Sequence, residues 1–220
     1  MIKALAALFM LIDHIGMILF PQAYVLRIVG RLSMPLFAYS VARGFYYSDT
    51  KGKAKRYARN LLIFAVVSQI PYTVLSVWIG GAISLNIGFT WLLSVCLMKT
   101  LSSEKKPVSL GGMCALIFLI ALAVPMDYGI CGVLYPSIFY LFLFGDNKPQ
   151  YVFVSVAALY ALYVITGGGQ IQVFSIAAFP VLMLAKQRDN AIKLPRRFFY
   201  WLYPLHIAAL LLMKGVIALC

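Results

Sequence analysis

The feature that most constrains this chain is a succession of long apolar blocks, with the charged residues gathered in short stretches between them. Apolar residues make up 63% of the 220 residues and charged residues only 11%, whereas about a quarter of a typical soluble domain is charged. The blocks lack the alternation of strands, and a helix needs about 20 apolar residues to cross a bilayer. The pattern therefore predicts an all-α protein, a polytopic bundle of transmembrane helices.

Nine apolar segments follow one another along the chain. They cover residues 2–20, 24–46, 57–79, 83–101, 110–124, 131–144, 151–166, 171–185 and 198–219. Several are shorter than a full span, so we expect about nine spans, with eight to ten as the range, and a break or re-entrant turn near residues 125–132. No internal repeat, low-complexity tract or second domain is visible, and the sequence predicts a single domain over residues 1–220.

Loops with basic residues alternate with loops that have none, and this pattern predicts the orientation. Short loops rich in Lys and Arg stay in the cytoplasm. The loops after the second, fourth, sixth and eighth segments are basic, whereas those at 80–82 and 167–169 are not. The basic residues of these loops, together with Lys3 near the N-terminus, are Lys51, Lys53, Lys55, Arg56, Arg59, Lys99, Lys105, Lys106, Lys148, Lys186, Arg188, Lys193, Arg196 and Arg197. The N-terminus is therefore predicted to be cytoplasmic and the C-terminus to lie outside.

The net charge of +13 does not predict nucleic acid as a partner. Most of the basic residues lie in these loops, and no basic stripe interleaved with aromatic residues is visible. The four cysteines, one of them Cys220, show no CxxC pair or metal-ligand spacing, so no metal site is predicted. The first apolar block is not followed by a small-x-small cleavage site, and we interpret it as a retained span.

Ionisable residues inside apolar segments are costly, so each is a functional hypothesis. Asp13 and His14 lie side by side near the middle of the first segment. Neighbouring residues of a helix point about 100° apart, so one of the two can face another helix while the other faces a cavity. Arg27 and Arg31 lie one turn apart on one face of the second segment. The alternative for Asp13 is an ion pair with Arg31 that only fixes helix packing.

The two histidines of the chain, His14 and His206, are both predicted to lie near mid-membrane. His206 follows Tyr203-Pro204-Leu205 in the last segment, about 12 Å from the predicted membrane surface. Histidine can accept and return a proton near neutral pH. A lone histidine on an apolar helix usually serves packing, but two at matched depth favour a functional role.

Three further polar residues are open to a structural interpretation. Asp127 lies between two short segments, where a helix-capping or solvated aspartate is as reasonable as a functional one. Asn86 and Thr90 lie one turn apart in the fourth segment, and both types of residue commonly form hydrogen bonds between membrane helices.

These residues belong to an ordered set of motifs that resembles the TraX family of membrane proteins, named for an F-pilin N-acetylase. The motifs are MLIDHIG at 10–16, LRIVGRLSMPLFA at 26–38, SQIP at 68–71, LNIGFT at 85–90, DYGICGVL at 127–134 and FYWLYPLH at 199–206. Each motif is short, but together they extend over almost the whole chain. One position departs from the pattern: Arg43 precedes Gly44 where the family has an acidic residue.

The resemblance implies a bacterial cytoplasmic (inner) membrane enzyme that takes acetyl groups from acetyl-CoA. The acceptor would be an amine or hydroxyl of a peptide, glycan or lipid, such as the N-terminus of a pilin-like subunit. It implies that the catalytic residues are His14, Asp13, His206 and Arg31, and that the substrate-binding residues are Arg27, Asn86, Asp127 and Tyr203. No metal is implied.

Acyl transfer to an amine needs a base and donors for the developing oxyanion, which these residue types supply. His14 is the candidate base, with Asp13 orienting it. Arg31 would stabilise the oxyanion or hold Asp13, and His206 would be a second acid/base group or an acyl carrier. The basic loops would attract the phosphates of CoA or would simply set the topology.

Two other classes of function stay open at the level of sequence. A proton-coupled transporter also buries histidine, aspartate and arginine at mid-membrane, although no inverted repeat is visible. A nonenzymatic membrane assembly factor is the third class.

Overall fold

The computed structural model of the protein describes residues 1–103, 107–143, 149–165, 170–187 and 196–219. All the regular elements in these ranges are helices, which confirms the all-α prediction. They are α1 (Ile2–Ile18), α2 (Tyr24–Gly30), α3 (Ser33–Asp49), α4 (Ala54–Trp78), α5 (Ile87–Leu101), α6 (Pro107–Ala123), α7 (Gly129–Leu143), α8 (Pro149–Ile165), a 3₁₀ helix (Gln170–Ala177), α9 (Ala178–Gln187) and α10 (Arg196–Leu219).

Each predicted apolar segment corresponds to helical structure, but the bounds of the second and fourth segments were wrong. The second segment is divided, because α2 ends at Gly30 and α3 begins at Ser33. The fourth was predicted from residue 83, whereas α5 begins at Ile87. Asn86 caps α5, since its side chain accepts a hydrogen bond from the Gly88 N–H at 2.8 Å, and this is a favoured N-cap residue. The eighth segment begins as a 3₁₀ helix.

Several predictions concern residues that lie outside the described ranges. These are the basic residues Lys105, Lys106, Lys148, Arg188 and Lys193, the glycines at 167–169, and Cys220.

Among the residues that the structure describes, two stretches are long and apolar enough to cross a membrane, judged by length and composition. They are Tyr24–Asp49, which joins α2 and α3, and Ala54–Trp78, which is α4. Other described helices are apolar but shorter, such as Ile87–Leu101. Membrane association is therefore indicated.

The described chain divides into two compact units. The first unit contains residues 1–40 and the described residues from 157 onward, and the second unit is Val41–Val156. Each unit is described by itself, and the single domain inferred from the sequence stays a prediction.

The first unit is built around α1, which packs against α2, α9 and α10. Two glycines allow α1 and α2 to approach closely. A Cβ on Gly16 would lie 2.7 Å from the Leu26 Cβ, and a Cβ on Gly30 would lie 2.7 Å from Asp13 Oδ1 and closer still to its Cα and Cβ. Real Cβ atoms do not approach other heavy atoms so closely. Gly30 therefore sets the distance between α2 and the polar middle of α1.

The substitution Gly30→Ala is expected to lower the free energy of unfolding by about 1–3 kcal/mol, the usual cost of overpacking. The matched control is Gly215→Ala in α10, where an added Cβ meets nothing within 4 Å and alanine is favoured over glycine by about 0.5–1 kcal/mol. Unfolding of both variants in detergent micelles, followed by tryptophan fluorescence, measures the difference. Equal stability of the two variants would contradict the close approach at Gly30.

The second unit has α5 at its centre, in contact with α4, α6 and α7. Its core includes Leu97, Ile117, Ala121 and Val133, all of them buried. The chain before α5 is extended and pairs with the turn before α7. The Leu85 N–H donates to the Pro125 carbonyl at 2.9 Å, and the Asp127 N–H donates to the Leu85 carbonyl at 2.8 Å. The break predicted near 125–132 is thus present between α6 and α7.

Candidate active site

Asp13 and His14 occupy the middle of α1 and point to different neighbours, as the helical geometry predicts. Asp13 faces α2, where its Oδ2 lies 3.1 Å from Arg27 Nη1 and its Oδ1 lies 3.5 Å from Arg31 Nη2. Arg27 Nη1 also donates to the Asp13 backbone carbonyl at 3.2 Å. The structure contains the Asp13–Arg31 pair considered from the sequence and adds Arg27 to it.

His14 faces α10, where it meets His206. The His14 Nδ1 and the His206 Nε2 lie 2.8 Å apart, and the ring centroids are 4.8 Å apart. The His206 Nδ1 lies 2.8 Å from the carbonyl oxygen of Leu202, one turn earlier on α10. His206 is 7% exposed. Two residues separated by 192 positions are therefore joined by a direct hydrogen bond between their rings.

Tyr203 forms one side of the histidine pair. Its ring centroid lies 6.2 Å from that of His14 and 5.6 Å from that of His206, and both contacts are edge-to-face. Aromatic rings favour this arrangement. Tyr203 is buried, so it holds both imidazoles in place. Its predicted contact with substrate stays a prediction.

Gln172 is a residue of this cluster that the sequence analysis missed. Arg31 Nη1 donates to Gln172 Oε1 at 3.1 Å, and Gln172 Nε2 donates to Ser175 Oγ at 2.9 Å. Both residues are buried in the 3₁₀ helix. An amide inside an apolar segment, one turn from a serine, was the available signal, since buried polar groups need partners.

Asn86 and Asp127 belong to the second unit. All the polar atoms of the buried Asn86 side chain have partners within the protein: Nδ2 donates to the Ala65 carbonyl at 2.7 Å and to Gln69 Oε1 at 2.9 Å, and Oδ1 accepts from Gly88. This is the interhelical bonding considered from the sequence. A contact of Asn86 with substrate stays a prediction.

Replacing Asn86 with alanine is expected to lower the free energy of unfolding by about 2–4 kcal/mol. The helix loses its cap, and the Ala65 carbonyl and Gln69 lose a buried partner. Asn86→Ser retains a capping oxygen but cannot reach both groups on α4, so an intermediate loss is expected in the same unfolding measurement. A loss as large for Asn86→Ser as for Asn86→Ala would show that the stabilisation comes from the hydrogen bonds to α4 and that the helix cap contributes little.

Asp127 lies in the turn before α7. Its backbone carbonyl accepts a hydrogen bond from Thr90 Oγ1 at 2.8 Å, and the next residue, Tyr128, has φ +60°, a conformation that is uncommon outside glycine. Thr90 thus binds the turn to α5. The role of the Asp127 carboxylate stays a prediction.

The sequence of this chain matches the model of one known protein family over nearly its whole length. The family model described as TraX protein matches residues 1–214. The chain belongs to the TraX family. This confirms the resemblance drawn from the sequence motifs.

Two curated relatives were also found. One is an uncharacterized protein of Rickettsia prowazekii, 37% identical over 75 residues, which cover 34% of this chain and 27% of that protein. The chain therefore matches about a quarter of the length of that relative. The other is the probable fimbrial assembly protein FimC, serogroup H1, of Dichelobacter nodosus, 28% identical over 246 aligned positions, covering 95% of this chain and 92% of that protein. No solved structure matches significantly.

Arg43 is the position at which the sequence motifs predict a departure from the TraX family pattern, and this stays a prediction. Its guanidinium carbon lies 5.8 Å from the centroid of the Tyr47 ring, one turn later on α3, within the range of a cation–π contact. At the neighbouring Gly44, an added Cβ would lie 2.8 Å from the Tyr57 hydroxyl. Gly44 thus leaves room for the ring of Tyr57 on α4, and a larger residue there would displace that ring.

The first unit places a histidine pair beside a carboxylate with two guanidinium groups. Imidazoles can accept and donate protons, and guanidinium groups can stabilise an oxyanion. In the part of the chain that the structure describes, no group of three or more His, Cys, Asp or Glu residues is arranged to hold a metal ion.

Proposed function

We propose that the protein is a membrane-embedded acyltransferase that transfers an acetyl group from cytoplasmic acetyl-CoA to an amine or hydroxyl acceptor. The observation that carries the proposal is the pair of His14 and His206, 2.8 Å apart, next to Asp13, Arg27 and Arg31. Membership of the TraX family, whose namesake acetylates pilin, supports the same chemistry.

The proposed reaction assigns a task to each of these residues. His14 accepts a proton from the acceptor amine as its nitrogen attacks the thioester carbonyl. Arg31 and Arg27 supply positive charge close to the developing oxyanion, and stabilisation of this charge often contributes more to the rate than any other effect. Asp13 holds the two arginines, because it contacts both guanidinium groups. Asp13 therefore acts mainly through the arginines, since its carboxylate is directed toward α2.

The surface of α4 supports a position within a lipid bilayer. Large apolar side chains along this helix are exposed, including Ile63, Val66, Ile70, Val74 and Val77, all between 53% and 74%. A contiguous apolar surface of this kind is unfavourable in water and favourable against lipid. In the proposed arrangement the helices form a polytopic bundle with a cytoplasmic N-terminus, and the basic loops attract the phosphates of CoA.

The acceptor is proposed to be a pilin-like N-terminal amine, with a glycan or lipid hydroxyl as the alternative. FimC of Dichelobacter nodosus carries fimbrial assembly in its name, and the aligned region covers almost all of both chains. The same similarity favours a second candidate function, a nonenzymatic role in fimbrial assembly, in which the buried cluster would only stabilise the helices.

Transfer to a peptide distinguishes these two functions. The protein in lipid nanodiscs is incubated with acetyl-CoA labelled in the acetyl group and a short peptide with a free N-terminal amine. The matched control is the same peptide with that amine already blocked. We expect label on the free amine only, detected by mass spectrometry. An absence of label from peptide, lipid and glycan acceptors alike would reject the acyltransferase and favour the assembly role.

A further inference from the structure

We propose that His206 is a positioning residue that fixes the hydrogen of His14 on Nδ1, so that Nε2 of His14 is the nitrogen that takes the proton. The inference rests on the proposed acyl transfer for its catalytic meaning. It replaces both roles considered for His206 from the sequence, because His206 is then neither a second acid/base group nor an acyl carrier.

The carbonyl of Leu202 determines which nitrogen of His206 carries a hydrogen. A carbonyl oxygen can only accept a hydrogen bond, and it lies 2.8 Å from the His206 Nδ1. The Nδ1 of His206 must therefore carry a hydrogen. A neutral imidazole has one hydrogen, so the Nε2 of His206 is an acceptor with a free lone pair.

The hydrogen bond between the two rings determines which nitrogen of His14 carries a hydrogen. Because the His206 Nε2 accepts, the His14 Nδ1 at 2.8 Å must donate. The lone pair of neutral His14 is then on Nε2.

With these hydrogen bonds, neither ring nitrogen of His206 is free to exchange a proton with the substrate or to attack the thioester. Its Nδ1 hydrogen is held by Leu202 and its Nε2 lone pair is engaged by His14. His206 is also buried at 7% exposure, and Tyr203 packs against its ring. An acyl carrier needs a nitrogen lone pair that can attack the thioester. The geometry gives this property to His14 Nε2 alone within the pair.

In the proposed reaction, His14 Nε2 both accepts the proton of the attacking amine and returns it to the leaving thiolate. The acceptor nitrogen forms a bond to the thioester carbon, and its proton passes to His14 Nε2. The bond between carbon and sulfur then breaks, and the thiolate of CoA takes the proton from Nε2. The products are the acetylated amine and free CoA, and His14 is again neutral with its hydrogen on Nδ1. The imidazolium that forms between these steps is held by the acceptor Nε2 of His206.

The tautomers can be measured without any catalysis. The chain contains two histidines, so protein labelled with ring-¹⁵N histidine in nanodiscs gives two sets of nitrogen signals, assigned with the His206→Gln variant. We expect both rings to carry hydrogen on Nδ1, the opposite of the tautomer that neutral histidine favours in water. A hydrogen on Nε2 of His14 in the wild-type protein would overturn the inference, whether or not acetyl transfer is observed.

Two variants of His206 test the consequence for acetyl transfer. In His206→Gln the side-chain oxygen can replace the acceptor Nε2, whereas His206→Leu removes the acceptor. We expect transfer to fall by about tenfold to 10⁴-fold in His206→Leu, the upper value being the cost of a wrong tautomer in a serine-protease triad, and to be largely restored in His206→Gln. Equal loss in both variants would overturn the inference, because it would require a proton or acyl group on His206. If wild-type protein shows the expected tautomers but no transfer, the proposed function fails and the hydrogen-bond chain stands.

Discussion

Replacing His14 with glutamine is expected to lower the rate of acetyl transfer by about 10²- to 10⁴-fold, the usual contribution of a positioned acid/base group. Glutamine retains the size of the side chain and a hydrogen-bonding group toward His206, but it has no nitrogen that accepts a proton. The measurement is the initial rate of transfer in nanodiscs, with binding of acetyl-CoA measured separately. Binding is expected to be retained, because the loss concerns the chemical step.

The matched control is Cys96→Ser. Cys96 is a free, exposed thiol on α5 in the second unit, so its replacement is expected to leave transfer unchanged. A large loss in Cys96→Ser would favour a cysteine acyl carrier, and a loss of less than about threefold in His14→Gln would show that His14 is not the base.

The substitution Asp13→Asn is expected to lower the free energy of unfolding by about 3 kcal/mol, near the lower end of the cost of breaking a buried ion pair. It retains the shape of the side chain but removes the charge that contacts Arg27 and Arg31. The side chains involved are 14% to 21% exposed, so solvent screens them little. Unfolding in detergent micelles, followed by tryptophan fluorescence, measures the loss.

The control for Asp13 is Asp49→Asn. Asp49 Oδ1 lies 2.7 Å from Lys99 Nζ, but the Lys99 side chain is 57% exposed, and exposed pairs contribute about 0–1 kcal/mol. If Asp13→Asn costs no more than Asp49→Asn, the cluster around Asp13 does not stabilise the first unit and the assignment of Asp13 to the arginines is wrong.

The helices could be predicted because their apolar segments are long and separated by charged loops. The ends of the helices depend on contacts that the sequence does not display. Residues 83–86 contain the apolar Ile83 and Leu85 and lead directly into the apolar helix α5, yet they are extended because Leu85 pairs with the turn at Pro125 and Asp127. A local hydropathy pattern cannot distinguish such a segment from a helical turn, since the deciding hydrogen bonds connect residues about 40 positions apart.

The candidate site could be predicted residue by residue but not as an arrangement. Ionisable residues in apolar segments are conspicuous, so Asp13, His14, Arg31 and His206 were all identified. Depth along a helix indicated that the two histidines lie at a similar level, but the rotation of α1 against α10, which brings the rings together, is set by packing. Gln172 was missed because amides are less costly in apolar segments than charges.

In the proposed function the histidine pair supports acetyl transfer, with His14 as the base, and it does not conduct protons across the membrane. The most direct test of this claim measures both activities in the same proteoliposomes: release of free CoA from acetyl-CoA in the presence of an amine acceptor, and proton flux reported by a pH-sensitive dye inside the vesicles. We predict release of one CoA for each acetyl group gained by the acceptor, loss of that release in His14→Gln, and no proton flux above that of empty vesicles. Proton flux that His14→Gln abolishes, without release of CoA, would contradict the account and identify a proton-coupled transporter.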